Sequence, residues 1–313
     1  MQFVVYLVVA ILLLVLFSGA YTFIVACVRR KELPWLDEKA MQKTSYGRYY
    51  ENILIGDRFF KEHLSQTVQI TSNDGLKLSG IWVPAEEPKG TILLAHGYRS
   101  SKMVDFSLAL EMYHNYGMNI LVPDQRSHGK SEGRFITFGV KESEDMLSWV
   151  LYHNQTFGEI PLILSGLSMG ASTMLYLADQ ELPDNVKGII ADCGFTSPWE
   201  IIKSVFRNVI HLPAEPTLLA ADLFARLFAG FSLREKDTRK TLANSKLPVL
   251  LVHGVLDGFV PCEMTRQAYA ACREPKELLL VDGADHGVSF LVDQERYVQT
   301  VIAFLKKYVE GLQ

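Results

Sequence analysis

The feature that most limits the fold of this chain is a series of short, continuously apolar runs, each bounded by turn residues. Runs of this kind are typical of strands buried on both faces, as in a parallel sheet. Stretches with helical periodicity separate them, and repeated strand-then-helix order predicts an α/β fold with a doubly wound sheet. The apolar runs are Thr91–Ala95, Asn119–Pro123, Leu162–Ser165, Val186–Ala191, Val249–Val252 and Leu278–Val281.

Two further segments flank this alternating region. Before it, Val68–Ile70 leads through Asn73-Asp74-Gly75 into Leu76–Val83, which predicts an antiparallel hairpin at one edge of the sheet. Within it, residues 196–245 contain no strand signal and include two helical stretches rich in Leu, Phe and Ala. Because this insertion follows the C-terminal end of a strand, where such sheets bind ligands, we interpret it as a helical lid. The alternative is a pair of structural helices packed on the side.

The N-terminus differs from the rest of the chain. Residues 3–28 carry no charge and are almost unbrokenly apolar, long enough to cross a bilayer. We therefore divide the chain into a transmembrane helix (1–28), a connector (29–66) and a main domain (67–313). Arg29, Arg30 and Lys31 follow the span, and this positive-inside bias predicts a single-pass cell-membrane protein with its main domain in the cytoplasm. The alternative is an exported lipoprotein, since Ile24-Val25-Ala26-Cys27 resembles a lipoprotein cleavage box ending at Cys27.

Charge and cysteine usage exclude several classes of protein. The formal net charge of −4 gives no electrostatic footprint for nucleic acid, so no nucleic-acid partner is expected. Beyond Cys27, three cysteines without C-x-x-C spacing argue against a disulfide framework. No H-E-x-x-H or paired-ligand spacing occurs, so we expect no metal.

A nucleophile motif stands at one strand end. Gly166-Leu167-Ser168-Met169-Gly170 fits G-x-S-x-G directly after a buried strand and before a helix, the context that this motif requires. The two glycines permit a tight strand-to-helix turn from which the Ser168 hydroxyl projects above the sheet. The alternative is an ordinary glycine-rich turn, but the strand–turn–helix context favours a catalytic serine.

A serine hydroxyl needs a base, and the chain offers one at the same sheet edge. His286 follows the last predicted strand, and Asp257 follows the preceding strand. We predict that His286 takes the proton of Ser168 and that Asp257 fixes the tautomer of His286. Asp285 and Asp192 are the lower-ranked candidates for the acid. The backbone N–H groups of Met169 and Tyr98 are the predicted oxyanion donors.

Together these segments resemble the α/β-hydrolase superfamily. The resemblance covers about 67–311 and rests on His96-Gly97, the stretch Asp124-Gln125-Arg126-Ser127-His128-Gly129-Lys130-Ser131, the Ser168 turn, Asp257 and His286. The chain is similar in particular to the serine-aminopeptidase-like and monoglyceride-lipase-like branch. That likeness implies cofactor-free hydrolysis through an acyl-enzyme, and a structural role for the stretch containing Asp124, Arg126 and His128.

The predicted function is hydrolysis of a carboxylic ester by a membrane-anchored serine esterase. Apolar side chains of the insertion, from Leu218 to Phe231, are expected to form a wall against the substrate. With the membrane helix, this favours a small-molecule or lipid-like acyl substrate. A serine aminopeptidase or a thioesterase would use the same residues, and the third alternative is a non-catalytic, membrane-associated binding module.

Overall fold

A computed structural model describes residues 1–44, 47–273 and 275–310, so the end of the predicted 67–313 domain lies outside the described residues. Within them, eight strands form one sheet in the order 1-2-4-3-5-6-7-8. The strands are β1 (Gln66–Thr71), β2 (Lys77–Val83), β3 (Gly90–Ala95), β4 (Met118–Pro123), β5 (Leu162–Leu167), β6 (Val186–Asp192), β7 (Val249–Gly254) and β8 (Lys276–Val281).

The first two strands run antiparallel to their neighbours, whereas β3 to β8 pair in parallel. The prediction of a doubly wound, mostly parallel sheet with an opening hairpin is confirmed. All residues of β3, β4 and β7 are buried, as their unbroken apolar sequences indicated.

Helices account for most of the remaining chain. They are α1 (Gln2–Cys27), α2 (Glu38–Met41), α3 (Tyr50–Glu62), α4 (Lys102–Asp105), α5 (Ser107–Asn115), α6 (Val140–Phe157), α7 (Met169–Leu175), α8 (Pro198–Val205), α9 (Thr217–Phe224), α10 (Thr238–Ala243), α11 (Cys262–Ala271), α12 (Ser289–Val292) and α13 (Gln294–Leu305). A 3₁₀ turn, Gly47–Tyr49, precedes α3, and π-helical turns extend α8, α9 and α13 through Phe206–Ile210, Ala225–Ala229 and Lys306–Glu310.

Apolar cores lie on both faces of the sheet. One is formed with α6, α7, α10 and α11 and includes the fully buried Trp149. The other is formed with α3, α5 and α13 and includes Tyr113 and Phe304. Helices cover both faces of the sheet, and the carboxyl ends of its parallel strands lie at one edge. Ser168, Asp257 and His286 follow β5, β7 and β8 at this edge.

A third apolar cluster joins the N-terminal helix to the insertion. The last turns of α1 contribute Phe23 and Cys27, which pack among residues of α8, α9 and the loop around Phe135. The first half of α1 extends away from the domain with its side chains exposed. Helix α1 is long and apolar enough to cross a membrane, by length and composition.

Candidate active site

Ser168 occupies the strained turn between β5 and α7. Its φ of 56° and ψ of −116° are a conformation that a non-glycine residue adopts only when its surroundings enforce it. A Cβ on Gly166 would lie 2.3 Å from the Gly170 backbone, and one on Gly170 would lie 1.8 Å from the carbonyl oxygen of Ala95. The two glycines of the motif are therefore required by close backbone approach.

The loops after β7 and β8 bring Asp257 and His286 to this serine. His286 Nε2 lies 2.9 Å from Ser168 Oγ, and His286 Nδ1 lies 2.7 Å from Asp257 Oδ2. An ionised carboxylate can only accept, so Nδ1 carries the proton and Nε2 offers its lone pair to the serine hydroxyl. This is the geometry that proton abstraction from Ser168 requires.

The Asp257 carboxylate is held from several sides. Its Oδ1 accepts the N–H groups of Phe259 at 2.9 Å and Val260 at 2.8 Å, and its Oδ2 lies 3.1 Å from Nε2 of the buried His253. Burial alone would raise the pKa of Asp257, but hydrogen bonds from His253 and His286 outweigh it and lower that pKa to about 2. Asp257 is therefore ionised at neutral pH.

The two lower-ranked acids have other partners. Asp285 Oδ1 accepts the N–H groups of Gly258 and of His286 itself, at 3.1 and 2.7 Å, which fixes the loop rather than the imidazole ring. Asp192 Oδ1 lies 3.4 Å from Ser289 Oγ, and burial raises the pKa of Asp192 to about 6.

The loop after β3 lies against Ser168. A Cβ on Gly97 would be 3.2 Å from Asp105 Oδ2 and 3.4 Å from Ser168 Cβ, so the backbone at Gly97 packs closely on both residues. The Gly97 N–H donates to Asp105 Oδ2 at 2.6 Å, and the Arg99 N–H donates to His128 Nε2 at 3.0 Å. These bonds fix the backbone on either side of Tyr98. Across the site, Met169 begins α7, where the first amides have no acceptor within the helix.

Buried polar residues beneath this loop keep it in place. Burial lowers the pKa of His128 to about 3, so its ring is neutral and Nε2 can accept from Arg99 while Nδ1 donates to the Arg126 carbonyl at 2.9 Å. Arg126 in turn binds both carboxylate oxygens of Asp145, at 2.6 and 2.7 Å. The contacts of His128 and Arg126 agree with the supporting role implied by the family resemblance.

Asp105 is a residue of the site that sequence reasoning missed. It accepts the Gly97 N–H and, at 2.6 Å, the Ser100 hydroxyl, and it lines the cavity beside Ser168. It lies in a stretch whose periodicity predicts an ordinary helix, and no motif marks it. In the structure that helix is interrupted at Phe106, and Asp105 is the last residue of α4.

A cavity of about 510 Å³ opens beside Ser168 and His286. Its outer wall includes Arg48, Tyr49 and Asn52 of the predicted connector, together with apolar residues of α5 and α12. Among the described residues, those lining it include no member of the 196–245 insertion. The expectation that the apolar side chains of the insertion form the substrate wall is therefore wrong. Leu218, Phe224 and Phe231 pack instead in the apolar cluster that contains Phe23 and Cys27 of α1, and connector residues line the cavity.

One group of side chains near the site has the donor types of a metal centre. Ligand atoms of Cys193, Asp257 and His286 lie within 4.8 Å of one another. Burial raises the pKa of the Cys193 thiol well above its usual range, which disfavours the thiolate that binds metals. Asp257 and His286 are also bonded to each other, so the group fits a hydrogen-bonded relay better than a cation site.

The loop after β3 is also joined to the end of α1 by hydrogen bonds. The Tyr98 hydroxyl donates to the Ala26 carbonyl at 2.8 Å. The Arg99 guanidinium donates to the carbonyls of Val25 at 2.7 Å and Val28 at 3.1 Å. The last turn of the N-terminal helix thus contacts two residues that immediately follow Gly97.

A sheet of this topology, with a serine at the sharp turn after β5 and a histidine after β8, defines an α/β hydrolase. Comparison with known proteins agrees. A family model for serine aminopeptidase (S33) matches residues 86–213, and one for serine hydrolase (FSH1) matches residues 163–289.

Individual proteins extend the likeness over most of the chain. The uncharacterized protein YqkD of Bacillus subtilis is 30% identical over 237 residues, covering 75% of this chain and 77% of that protein. The uncharacterized membrane protein YNL320W of Saccharomyces cerevisiae is 24% identical, covering 66% of this chain and 68% of its own. The esterase Pf2001 of Pyrococcus furiosus has a TM-score of 0.65 and 26% identity, covering 79% of this chain and 93% of that one.

The chain therefore belongs to the α/β-hydrolase superfamily, and residues 86–213 are similar to the serine aminopeptidase (S33) family within it. It is a serine hydrolase of the esterase-like kind.

Proposed function

We propose that this protein is a membrane-anchored esterase that cleaves a carboxylic ester through an acyl-enzyme. Ser168 is the nucleophile, His286 the general base and Asp257 the orienting acid. The observation that carries the proposal is the hydrogen-bonded series Ser168 Oγ, His286 and Asp257, with donor–acceptor distances of 2.9 and 2.7 Å, at the edge of a 510 Å³ cavity.

The reaction follows from that series. Ser168 Oγ attacks the ester carbonyl carbon while its proton passes to His286 Nε2, and Asp257 stabilises the resulting imidazolium. The tetrahedral intermediate collapses, the C–O bond to the alcohol breaks, and His286 returns the proton to the leaving oxygen. Water then attacks the acyl-Ser168 carbonyl by the same proton transfers, which releases the acid and restores the serine hydroxyl.

The negative oxygen of each tetrahedral intermediate needs donors that are already in position. We assign this role to the backbone N–H groups of Tyr98 and Met169. Two contacts support the assignment of Tyr98: Asp105 and His128 bind the amides of Gly97 and Arg99, which flank it. Loss of one such donor typically costs about 10²–10³ in kcat.

An ester or lipid-like acyl group suits the cavity better than a peptide with a free amino terminus. Leu108, Phe290 and Leu291 supply apolar lining. The same lining holds Arg48 and the carboxyl groups of Asp105, Asp192 and Asp285, so charge does not separate an ester from a peptide and the preference rests on the apolar lining. An aminopeptidase or thioesterase activity would use the same triad and is distinguished by the substrates below.

Membrane anchoring is supported by the exposed apolar half of α1, and Arg29, Arg30 and Lys31 after it favour a cytoplasmic catalytic domain. The alternative of a lipoprotein modified at Cys27 is disfavoured because that side chain is only 2% exposed. Its carbonyl also accepts the Ile136 N–H at 2.7 Å, so modification would require the last turn of α1 to leave the domain.

The test uses the full chain in lipid nanodiscs, because the end of α1 binds Tyr98 and Arg99 in the loop after β3. A fluorophosphonate probe and p-nitrophenyl esters of increasing chain length are applied to the wild type, to Ser168→Ala and to a surface control, Ser148→Ala. We expect labelling and turnover in the wild type and the control and neither in Ser168→Ala, since triad knockouts can cost about 10⁶ in kcat.

Amino-acid p-nitroanilides and acyl thioesters are assayed in parallel. If the amino-acid substrates are turned over faster than any ester, the aminopeptidase alternative replaces the esterase. A folded wild type that neither labels nor turns over any substrate would leave the non-catalytic binding module.

A further inference from the structure

Exposed apolar side chains outside α1 are concentrated in one region. Among the described residues after α1, nearly half of the large exposed hydrophobic side chains lie between 209 and 228. They are Val209 (56% exposed), Ile210 (47%), Leu212 (58%), Leu219 (50%), Leu223 (45%), Leu227 (67%) and Phe228 (61%). Leu219, Leu223 and Leu227 are spaced by four residues and so lie on one helical face. We call these seven residues the apolar face.

The depth of this face follows from the length of α1. A bilayer core needs about 20 apolar residues, and the uncharged run 3–28 allows several placements. Every such placement within the run includes residues 9–22, so Ser18 and Gly19 lie in hydrocarbon in all of them. Ser18 is then at least about 6 Å, four residues at 1.5 Å each, inside the hydrocarbon boundary.

Helix α9 is fixed to α1 at this level. A Cβ on Gly19 would lie 2.3 Å from Ala220 Cβ, so the two helices touch closely through small residues, as helices packed within membranes do. Ser18 Oγ lies 3.0 Å from Thr217 Oγ1. Since Thr217 and Ala220 lie beside residues in hydrocarbon, the start of α9 is carried to the same depth.

The direction of α9 places the rest of the face. Its contacts advance with those of α1, from Thr217 at Ser18 to Phe228, whose ring centroid lies 6.2 Å from that of Phe23. Helix α9 therefore begins on the bilayer side and runs toward the aqueous side. The loop containing Val209, Ile210 and Leu212 precedes α9 and exposes these apolar side chains beside polar ones.

The polar groups near this face are compatible with a shallow position in the bilayer. Asp222 is 7% exposed, points inward and accepts from Ser232, Leu233 and Arg226 at 2.9, 2.7 and 2.9 Å. Arg226 is exposed and can reach the phosphates. Arg207, Asn208, His211 and Glu215 are also exposed in the preceding loop, which excludes a position near the bilayer centre.

We propose that the apolar face is a second membrane-contact surface, which inserts into the hydrocarbon–headgroup boundary beside α1. The inference rests on the proposed anchor role of α1. The insertion 196–245 then contacts the bilayer, and α1 and α9 together fix the orientation of the catalytic domain on the lipid surface. The partner is the lipid bilayer itself, held by apolar contact and by Arg226 at the phosphate level.

The test introduces tryptophan at single exposed leucines of the full chain in nanodiscs and measures quenching by lipids brominated near the headgroup or near the chain ends. The variants are Leu223→Trp in the apolar face, Leu12→Trp in α1, and Leu151→Trp, a 47%-exposed position on the part of α6 that leads to the start of β5, away from the site edge. The four native tryptophans are buried and give the baseline.

We expect Leu223→Trp to lose most of its added emission to bromines near the headgroup, Leu12→Trp to bromines near the chain ends, and Leu151→Trp to neither. If Leu12→Trp is quenched while Leu223→Trp is not, α1 is an anchor and the proposed contact surface is wrong. If Leu223→Trp and Leu151→Trp are quenched equally, the surface is not selective and the proposal also fails. If none is quenched, the anchor itself is wrong, and the inference falls with it.

Discussion

Replacing Asp257 by asparagine tests the proposed proton relay most directly, because the surroundings of this carboxylate dictate how the amide must orient. Oδ1 accepts two backbone N–H groups, from Phe259 and Val260, and this position requires an oxygen. The amide oxygen of the variant therefore takes the place of Oδ1. The NH₂ group is then left facing Nδ1 of His286, where the carboxylate Oδ2 now lies at 2.7 Å.

The consequence is a change of tautomer. An NH₂ group can only donate, so His286 Nδ1 must become the acceptor and the ring proton moves to Nε2. Nε2 then has no lone pair for the Ser168 hydroxyl 2.9 Å away. Wrong-tautomer variants of such triads lose about 10⁴ in kcat, which corresponds to about 5 kcal/mol of transition-state stabilisation. KM should change little, because Asp257 does not face the substrate.

The assay is steady-state hydrolysis of the best p-nitrophenyl ester by the full chain, with the rate of fluorophosphonate labelling as a second readout. Asp192→Asn and Asp285→Asn are matched controls, since both carboxylates lie near His286 but neither accepts from its ring in the described structure. A loss below tenfold for Asp257→Asn, or a larger loss for either control, would refute the assignment of the acid.

Three further outcomes follow from the structure. Burial raises the pKa of Asp192 to about 6, so ionising this carboxyl lowers the free energy of unfolding of the wild type as the pH rises from about 4 to 6. Calorimetry should show that the free energy of unfolding of Asp192→Asn rises by up to about 3 kcal/mol relative to that of the wild type between pH 4 and pH 8. A difference that does not change with pH would contradict this. Gly170→Ala puts a Cβ 1.8 Å from the Ala95 oxygen and should cost about 3 kcal/mol or more, seen as a lower melting temperature with lost labelling; an unchanged Tm would show that the turn can relax. Arg99→Met removes two hydrogen bonds to the end of α1, worth about 3 kcal/mol together. Trypsin should therefore cleave after Arg29, Arg30 and Lys31 about a hundredfold faster in this variant, and equal rates would contradict this.

The sheet and the three proposed catalytic residues were accessible from sequence for a shared reason. Parallel strands buried on both faces leave continuous apolar runs, and the loops at their carboxyl ends all emerge at one edge. Ser168, Asp257 and His286 each follow such a run within a few residues, so strand order alone brings them to the same edge. The short range of these connections leaves little freedom for error.

The wall of the cavity could not be predicted in the same way. The connector and the 196–245 insertion are both amphipathic helical segments, and either could cover the site edge. Which one does so depends on long-range packing: α3 docks on α4 and α5, whereas α9 docks on α1 through the close contact of Gly19 with Ala220. Neither contact leaves a local sequence pattern, because a single glycine in an apolar helix has no unique partner.

The boundary after residue 28, which hydropathy predicts, does not separate two structurally independent parts of the chain. Residues 1–28 differ sharply from the rest in hydropathy, yet their last turn supplies the carbonyl acceptors for the Tyr98 hydroxyl and the Arg99 guanidinium. These two residues directly follow Gly97, which packs on Ser168. A chain shortened to begin after α1 would expose the apolar cluster around Phe135 and leave the partly buried Arg99 cation without those acceptors, which costs more than losing the bonds alone. A boundary drawn from hydropathy therefore separates two segments that are joined by the hydrogen bonds of Tyr98 and Arg99. We expect hydrolysis rates measured on a shortened chain to be lower than those of the full chain.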